Sequence, residues 1–177
     1  MATKANGSMT VTLSELSQEI DLRSYLGRKP TASEKTAFAI LAQATIESRT
    51  LDGEDIDGKN FTKYSKEYAD AKGVTQDSVD LFLEGDMLEG IGRRVSKEKR
   101  STVFLQMKKG LQTKKAFNHN TGDTLPKREF FGITDAEAKR IAKEIKEERE
   151  TPGLSLAALR EALDLITIEQ VDDDGEA

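Results

Sequence analysis

Thr102-Val103-Phe104-Leu105-Gln106-Met107 carries β-branched and aromatic side chains in loose apolar and polar alternation. That composition suits a pleated, half-buried surface and predicts a strand. Towards the C-terminus, residues 108–115 are polar and read as a loop, and Ala116-Phe117-Asn118-His119-Asn120-Thr121-Gly122 reads as a turn before Pro126. Thr134 and Glu137 have the spacing of a capping box, in which a hydroxyl and a carboxylate satisfy orphan backbone N–H groups. Ala138, Ile141, Ala142 and Ile145 follow at helical intervals and predict a helix to about Arg149, stopped by Pro152 and Gly153. Beyond it, Leu156, Leu159, Leu163 and Ile166 suggest one more helical face, ahead of an acidic tail, Asp172-Asp173-Asp174-Gly175-Glu176, expected to be disordered.

Towards the N-terminus, Met87, Leu88 and Ile91 fall at a helical interval within residues 85–91, and Val79-Asp80-Leu81-Phe82-Leu83 looks like a short strand. Phe61, Tyr64 and Tyr68 cluster ahead of Gly73 and predict a short helix that ends there. Residues 52–58 are rich in turn formers. Thr31 and Glu34 make a second capping box, followed by Phe38, Leu41, Ala42, Thr45 and Ile46 on one face of a helix ending near Arg49. A third such pair, Thr12 and Glu15, with Leu13, Leu16, Ile20 and Leu22 behind it, predicts a first helix to about Leu26, stopped by Gly27. Helices flanking short strands argue for an α+β fold, with the N-terminal helices and a C-terminal helix on one side of a small, mostly antiparallel sheet. The expected organisation is a flexible arm over 1–10, one α+β domain over 11–150, and a helical extension with an acidic tail over 151–177.

Composition narrows the chemistry. The chain has 177 residues, enough for one core. Its charged fraction of 33% is high for a globular protein and its apolar fraction of 36% low, so much of the surface faces solvent or a partner. There is no cysteine, which excludes disulfides, thiol nucleophiles and cysteine-held metals. No apolar run approaches the roughly 20 residues of a membrane span, and Met1-Ala2-Thr3-Lys4 has no apolar stretch behind its lysine, so the expectation is a soluble chain without a cleaved export signal. The net charge of −5 hides a basic stretch: Arg93, Arg94, Lys97, Lys99, Arg100, Lys108, Lys109, Lys114, Lys115, Lys127 and Arg128 face only Glu98 and Asp123 over residues 92–128. From Asp135 onward the balance reverses.

Catalytic signals are absent. The single His119 has no second histidine and no serine–aspartate context. Asp52, Glu54, Asp55 and Asp57 fail as a calcium loop, because Asp57 stands where the turn glycine is required and Lys63 where a bidentate glutamate is. Gly58-Lys59 and Gly90-Ile91-Gly92 lack phosphate-cradle spacing. The basic stretch suits phosphate contacts, but Phe104 is the one aromatic within 93–115, so a stacking platform for single strands is not indicated.

Asp57-Gly58-Lys59-Asn60-Phe61-Thr62-Lys63-Tyr64-Ser65-Lys66-Glu67-Tyr68-Ala69-Asp70-Ala71-Lys72 resembles the D-G-x-x-F-x-x-Y-S-x-x-Y-A-x-x-K stretch of the bacteriophage virion morphogenesis, or tail-completion, family. Val79-Asp80-Leu81 with Gly85-Asp86-Met87-Leu88 is similar to that family's V-D-L and G-x-M-L. The segments with His119 and Gly122, and with Pro126, Arg128, Phe130, Phe131 and Gly132, are similar to its A-x-x-H-x-x-G and P-x-R-x-F-F-G pieces. Order and separation agree over residues 31–145. Independently of the family, Gly58 and Gly122 suit turns with positive φ, and Phe61, Tyr64 and Tyr68 supply large apolar area. Arg128 could fork onto a carboxylate or a backbone carbonyl.

The resemblance implies a non-enzymatic virion protein of the neck that joins the tail to the head connector as a ring of like subunits, a hexamer rather than a dodecamer. Its partners would be copies of itself, the connector or adaptor, and the tail terminator or tail tube. It would be assembled in the bacterial cytoplasm, with no cofactor and no membrane. Arg93, Arg94, Lys97, Lys99, Arg100, Lys108, Lys109, Lys114 and Lys115 are the candidates for a subunit interface or a DNA-facing lumen. The rival reading is a nonspecific nucleic-acid-binding protein using the 93–115 stretch. The acidic extension after Thr151 departs from the family pattern.

Overall fold

The computed structural model describes residues 3–81, 86–97, 100–107, 110–150 and 169–170. The strands are β1 Gly7–Val11, β2 Leu16–Asp21, β3 Ile91–Val95, β4 Thr102–Met107 and β5 Glu169–Gln170. The helices are α1 Arg23–Leu26, α2 Ala32–Leu51, α3 Lys66–Lys72, α4 Asp86–Glu89, α5 Leu111–Thr121 and α6 Asp135–Glu150. The sheet runs β1-β2-β4-β3-β5, with β1 to β4 antiparallel and the two-residue β5 parallel to β3. The α+β expectation holds, and β4 is a central strand between β2 and β3.

The N-terminal helix expected over 12–26 is instead a hairpin and one helical turn. Leu16, Gln18 and Ile20 are buried while Ser17, Glu19 and Asp21 are half-buried, a period of two, not 3.6. Leu13, placed on the predicted helical face, is 54% exposed. Thr12 and Glu15 meet without making a capping box: the Glu15 N–H donates to Thr12 Oγ1 at 3.0 Å, but the Thr12 N–H donates to the Glu15 backbone carbonyl at 2.7 Å and not to its carboxylate. The pairing closes the turn between β1 and β2. The expected flexible arm is likewise corrected. Residues 7–11 are β1, and Ala5 is buried with its N–H on the Ile133 carbonyl at 3.0 Å.

α2 begins at the expected capping box, with Thr31 and Glu34 bonded both ways. Phe38, Ala39, Ala42 and Ile46 are fully buried, and the helix packs on β3, β4 and α6, while Leu41 and Thr45 lie at the margin of that face. α6 begins at the Thr134 and Glu137 box and buries Ala138, Ile141, Ala142 and Ile145, as its spacing predicted. α3 is capped by Ser65 and stops at a left-handed Gly73.

The central stretch differs more. Residues 79–81 form no strand, and residues 82–83 lie outside the described residues. The helix expected to Ile91 is a single turn ending at Glu89. Ile91 opens β3, whose Arg93 and Arg94 leave only Ile91 and Val95 to signal a strand. Residues 111–121, read as a loop and a turn, are α5. Its buried positions are Thr113, Ala116 and Asn120, at helical spacing but with one apolar member, so hydrophobic periodicity passes over it. The extension at 156–166 and the acidic tail lie outside the described residues.

Between α5 and α6 runs a buried segment in neither helix nor strand. Phe130, Phe131 and Ile133 are fully buried, so their backbone groups need partners that no ladder supplies. Besides the Ala5 N–H on the Ile133 carbonyl, side chains supply them. Arg49 Nη2 donates to the carbonyls of Phe130 at 2.7 Å and Gly132 at 2.9 Å, and Arg49 also pairs with Glu137. The Phe131 N–H donates to Asn120 Oδ1 at 3.0 Å. Gln18 Oε1 accepts the Ile133 N–H at 2.7 Å while its Nε2 donates to the Ile133 carbonyl at 3.0 Å. Gly132 sits at φ +118 with Ile56 Cδ1 3.1 Å from where a Cβ would be, so a side chain there is both strained and crowded.

Gln18→Leu keeps the volume but leaves the Ile133 N–H unpaired in the core. The expected loss is about 1–3 kcal/mol in urea unfolding. Unchanged stability would show that this amide pairing carries nothing.

Candidate functional site

The three sequence pieces quoted above meet around Arg128. Its backbone N–H donates to the His119 carbonyl at 2.7 Å. Its guanidinium, only 4% exposed, donates from Nε to the Thr62 carbonyl at 2.9 Å and from Nη2 to the Lys63 carbonyl at 3.1 Å. Of the two partners open to it, Arg128 thus takes backbone carbonyls. Its Cζ lies 5.1 Å from the centre of the Tyr64 ring, and Lys72 Nζ lies 5.0 Å from the same centre, so one ring receives two cations. Tyr64 and Tyr68 are in ring contact at 4.7 Å.

Lys72 carries the joint to the second piece. Its ammonium pairs with Asp80 and donates to Tyr64 Oη at 3.3 Å. Burial disfavours that charge, yet the Asp80 carboxylate and the Tyr64 hydroxyl hold it above its ordinary range. Burial pushes the Tyr64 hydroxyl up. Arg128 is held below its usual range by burial, against the pull of the Tyr64 and Tyr68 hydroxyls. His119 is driven from 6.5 to about 4, first by burial and then by the Arg128 charge, and its Nδ1 is buried without a hydrogen-bond partner.

The remaining family-pattern residues are structural in the same sense. Asp57 and Gly58 lie in a turn in which Asp55 Oδ1 accepts the N–H of Asp57 and of Lys59, each at 2.9 Å, and Gly58 is left-handed at φ 72. Phe61, Tyr64, Met87, Leu88 and Phe130 are buried; Tyr68 is 43% exposed. Gly122 caps α5 at φ 77, and a Cβ there would stand 2.9 Å from Lys127 Cβ, beside the Pro126 loop. Gly85 lies outside the described residues.

The basic stretch is scattered. Arg93 is half-buried on the α2 side of β3 and bonds Gln43, with burial holding it below its usual range. Arg94, on the opposite face, bonds Gln106. Lys97 and Arg100 are exposed at the end of the β3–β4 hairpin, where the buried ammonium of Lys35 bonds the Ser96 and Lys97 carbonyls. Lys114 and Lys115 are exposed on α5. Lys99, Lys108 and Lys109 lie outside the described residues. α6 is charged in both signs, with Lys139–Asp135 and Lys143–Glu147 pairs. The acidic excess of the C-terminal part therefore falls mostly on 172–176, outside the described residues.

A shallow pocket of about 270 Å³ opens beside this joint, lined by Asp52, Asn60, Phe61, Asp77 and Asp80 among others. Two of its carboxylates are already in ion pairs, Asp77 with Lys63 and Asp80 with Lys72. Among the described residues no three His, Cys, Asp or Glu side chains are grouped to hold a metal, and no helix is long and apolar enough to cross a membrane. Arg49, Gln18, Asn120 and Lys35 were not singled out from sequence. Each is a polar residue whose importance comes from a partner outside its own helix or strand, and no local spacing announces it. The chain matches no known family model, curated protein or solved structure.

The lone histidine gives the joint a pH signature. His119 stays neutral when folded down to about pH 4, whereas an unfolded chain protonates it below about 6.5. Stability is therefore full above pH 6.5 and falls as the pH drops towards 4, by on the order of 3 kcal/mol in all. Glu34, held at about 2 chiefly by Arg28, adds its own loss only below the ordinary carboxylate range. His119→Asn should flatten the wild-type slope between pH 7 and 5 in urea unfolding, and an unchanged slope would contradict the buried neutral imidazole.

Proposed function

We propose that this chain is a non-enzymatic structural subunit of a bacteriophage neck, completing the tail and joining it to the head connector within a closed ring. The observation that carries the reading is the convergence of the three family-like sequence pieces on one joint, Arg128 with residues 62–63, Tyr64, Lys72, Asp80 and His119. Residues scattered over residues 57–130 form one packed unit, as they must if the likeness is of a whole domain and not of isolated words. The Arg128, Lys72, Asp80 and Tyr64 side chains are engaged with one another and with backbone, which suits a scaffold.

A ring is built from heterologous contacts, one surface of each subunit meeting a different surface of the next. Exposed Lys97, Arg100, Lys114 and Lys115 offer positive surface for such a contact or for a lumen through which DNA passes, and the acidic tail offers the opposite sign. A hexamer is the favoured ring, formed in the bacterial cytoplasm and retained in the virion, with copies of itself, the connector and the tail terminator or tube as partners.

Mixing the purified chain with isolated phage tails and connectors should produce a ring of added density at the tail end by electron microscopy. Duplex DNA should bind weakly, in light scattering across a salt series, with affinity falling as salt rises. Tight, salt-sensitive DNA binding by a monomer with no affinity for tails or connectors would favour the nucleic-acid-binding reading and defeat this one.

A further inference from the structure

Two helix ends carry complementary features that the fold itself does not use. α5 starts at Gly110 without a side-chain cap, and the backbone N–H groups of its first turn give this end positive character. Lys114 and Lys115 on the next turn add two full charges. Both are exposed, neither makes an ion pair among the described residues, and α5 contains no acidic residue to offset them. Leu111 shares their helix face at the i, i+3 and i+4 spacing. At 66% it is the most exposed large apolar side chain among the described residues.

The C-terminal end of α2 is the counterpart. Its last residue is Leu51, 50% exposed, and its cap is Asp52. Both line the recess of about 270 Å³, together with Asn60, Asp77 and Asp80. Asp80 is paired with Lys72, and Asp77 with an exposed Lys63, but Asp52 makes no ion pair among the described residues. The final carbonyls of a 20-residue helix add negative potential at the same place. Arg49, the basic side chain of that last turn, is turned inward onto Glu137 and the buried backbone, so it leaves this potential in place. The recess is thus open, negative and edged by a leucine.

Charge, helix polarity and apolar area therefore match end to end. The two ends share no residue, so one copy of the chain can present both, as a heterologous contact requires. A nucleic-acid backbone would engage the lysines but leave Leu111 in water and be repelled by the recess. A second copy satisfies both ends at once. We propose that the start of α5 in one subunit docks on the end of α2 in the next, Leu111 against Leu51, and Lys114 and Lys115 on Asp52 and Asp77 at the mouth of the recess. This contact is the one that repeats round the ring, so it rests on the ring reading for its second copy, and it takes Lys114 and Lys115 out of the lumen.

Because the chain has no cysteine, two single-cysteine chains report on the contact. Leu51→Cys and Leu111→Cys both fall on exposed positions outside the core. When the two chains are mixed in equal amounts and mildly oxidised at low salt, the mixed disulfide should exceed each homodimer about ten-fold, since like ends repel and unlike ends attract. Lys114→Glu with Lys115→Glu in the Leu111→Cys chain should abolish that excess. Adding Asp52→Lys with Asp77→Lys to the Leu51→Cys chain should then restore it. A random-collision mixture of the three disulfides from the unreversed pair, or no recovery in the doubly reversed pair, would overturn the proposal. The neck reading fails separately, on absent binding to tails and connectors.

Discussion

A stretch of backbone buried outside any helix or strand has to be hydrogen-bonded by side chains, and the run from Phe130 to Ile133 imposes that requirement here. Each unpaired buried group would cost about 1–3 kcal/mol, a sizeable part of a small domain's stability. Arg49 from α2, Asn120 from α5 and Gln18 from β2 meet the need. Their positions lock the first hairpin, the long helix and α5 around one line of backbone. Glu137 joins Arg49 to the start of α6, so the same clamp sets where the last helix of the domain begins.

Arg128 extends this arrangement outward. It stands beside the buried run and spends its guanidinium on the carbonyls of residues 62 and 63, tying the aromatic segment of Phe61, Tyr64 and Tyr68 to α5. The groups that look chemically versatile, two arginines, a lysine and a tyrosine, are thereby committed to holding segments together. Exposed positive charge lies elsewhere, on the lysines of α5 and at the end of the β3–β4 hairpin. This division of labour is what supports the proposal of an assembly subunit.

What was legible in the sequence follows from the same physics. α2 and α6 were readable because their caps and apolar faces are local, and β4 because its β-branched and aromatic residues are. β2 was misread because Leu16, Ile20 and Leu22 satisfy a helical spacing as well as alternation, and Gln18, the buried residue that would have decided, is polar. α5 escaped because its buried face is threonine, alanine and asparagine. β3 escaped because two arginines occupy its middle. The glycines at 27, 58, 73 and 122 were correctly placed at left-handed turns or helix ends. Arg128 was recognised as a fork, with its partners left open, whereas Arg49 and Gln18 act through residues 81 to 115 positions away and left no local trace.

Native-state amide hydrogen exchange at Phe131 and Ile133 tests the clamp most directly. These amides belong to no helix or sheet ladder, yet the account predicts that they exchange only through global unfolding, as slowly as the amides at the centre of β4. Exchange at the rate of the exposed loop over residues 123–126 would contradict it.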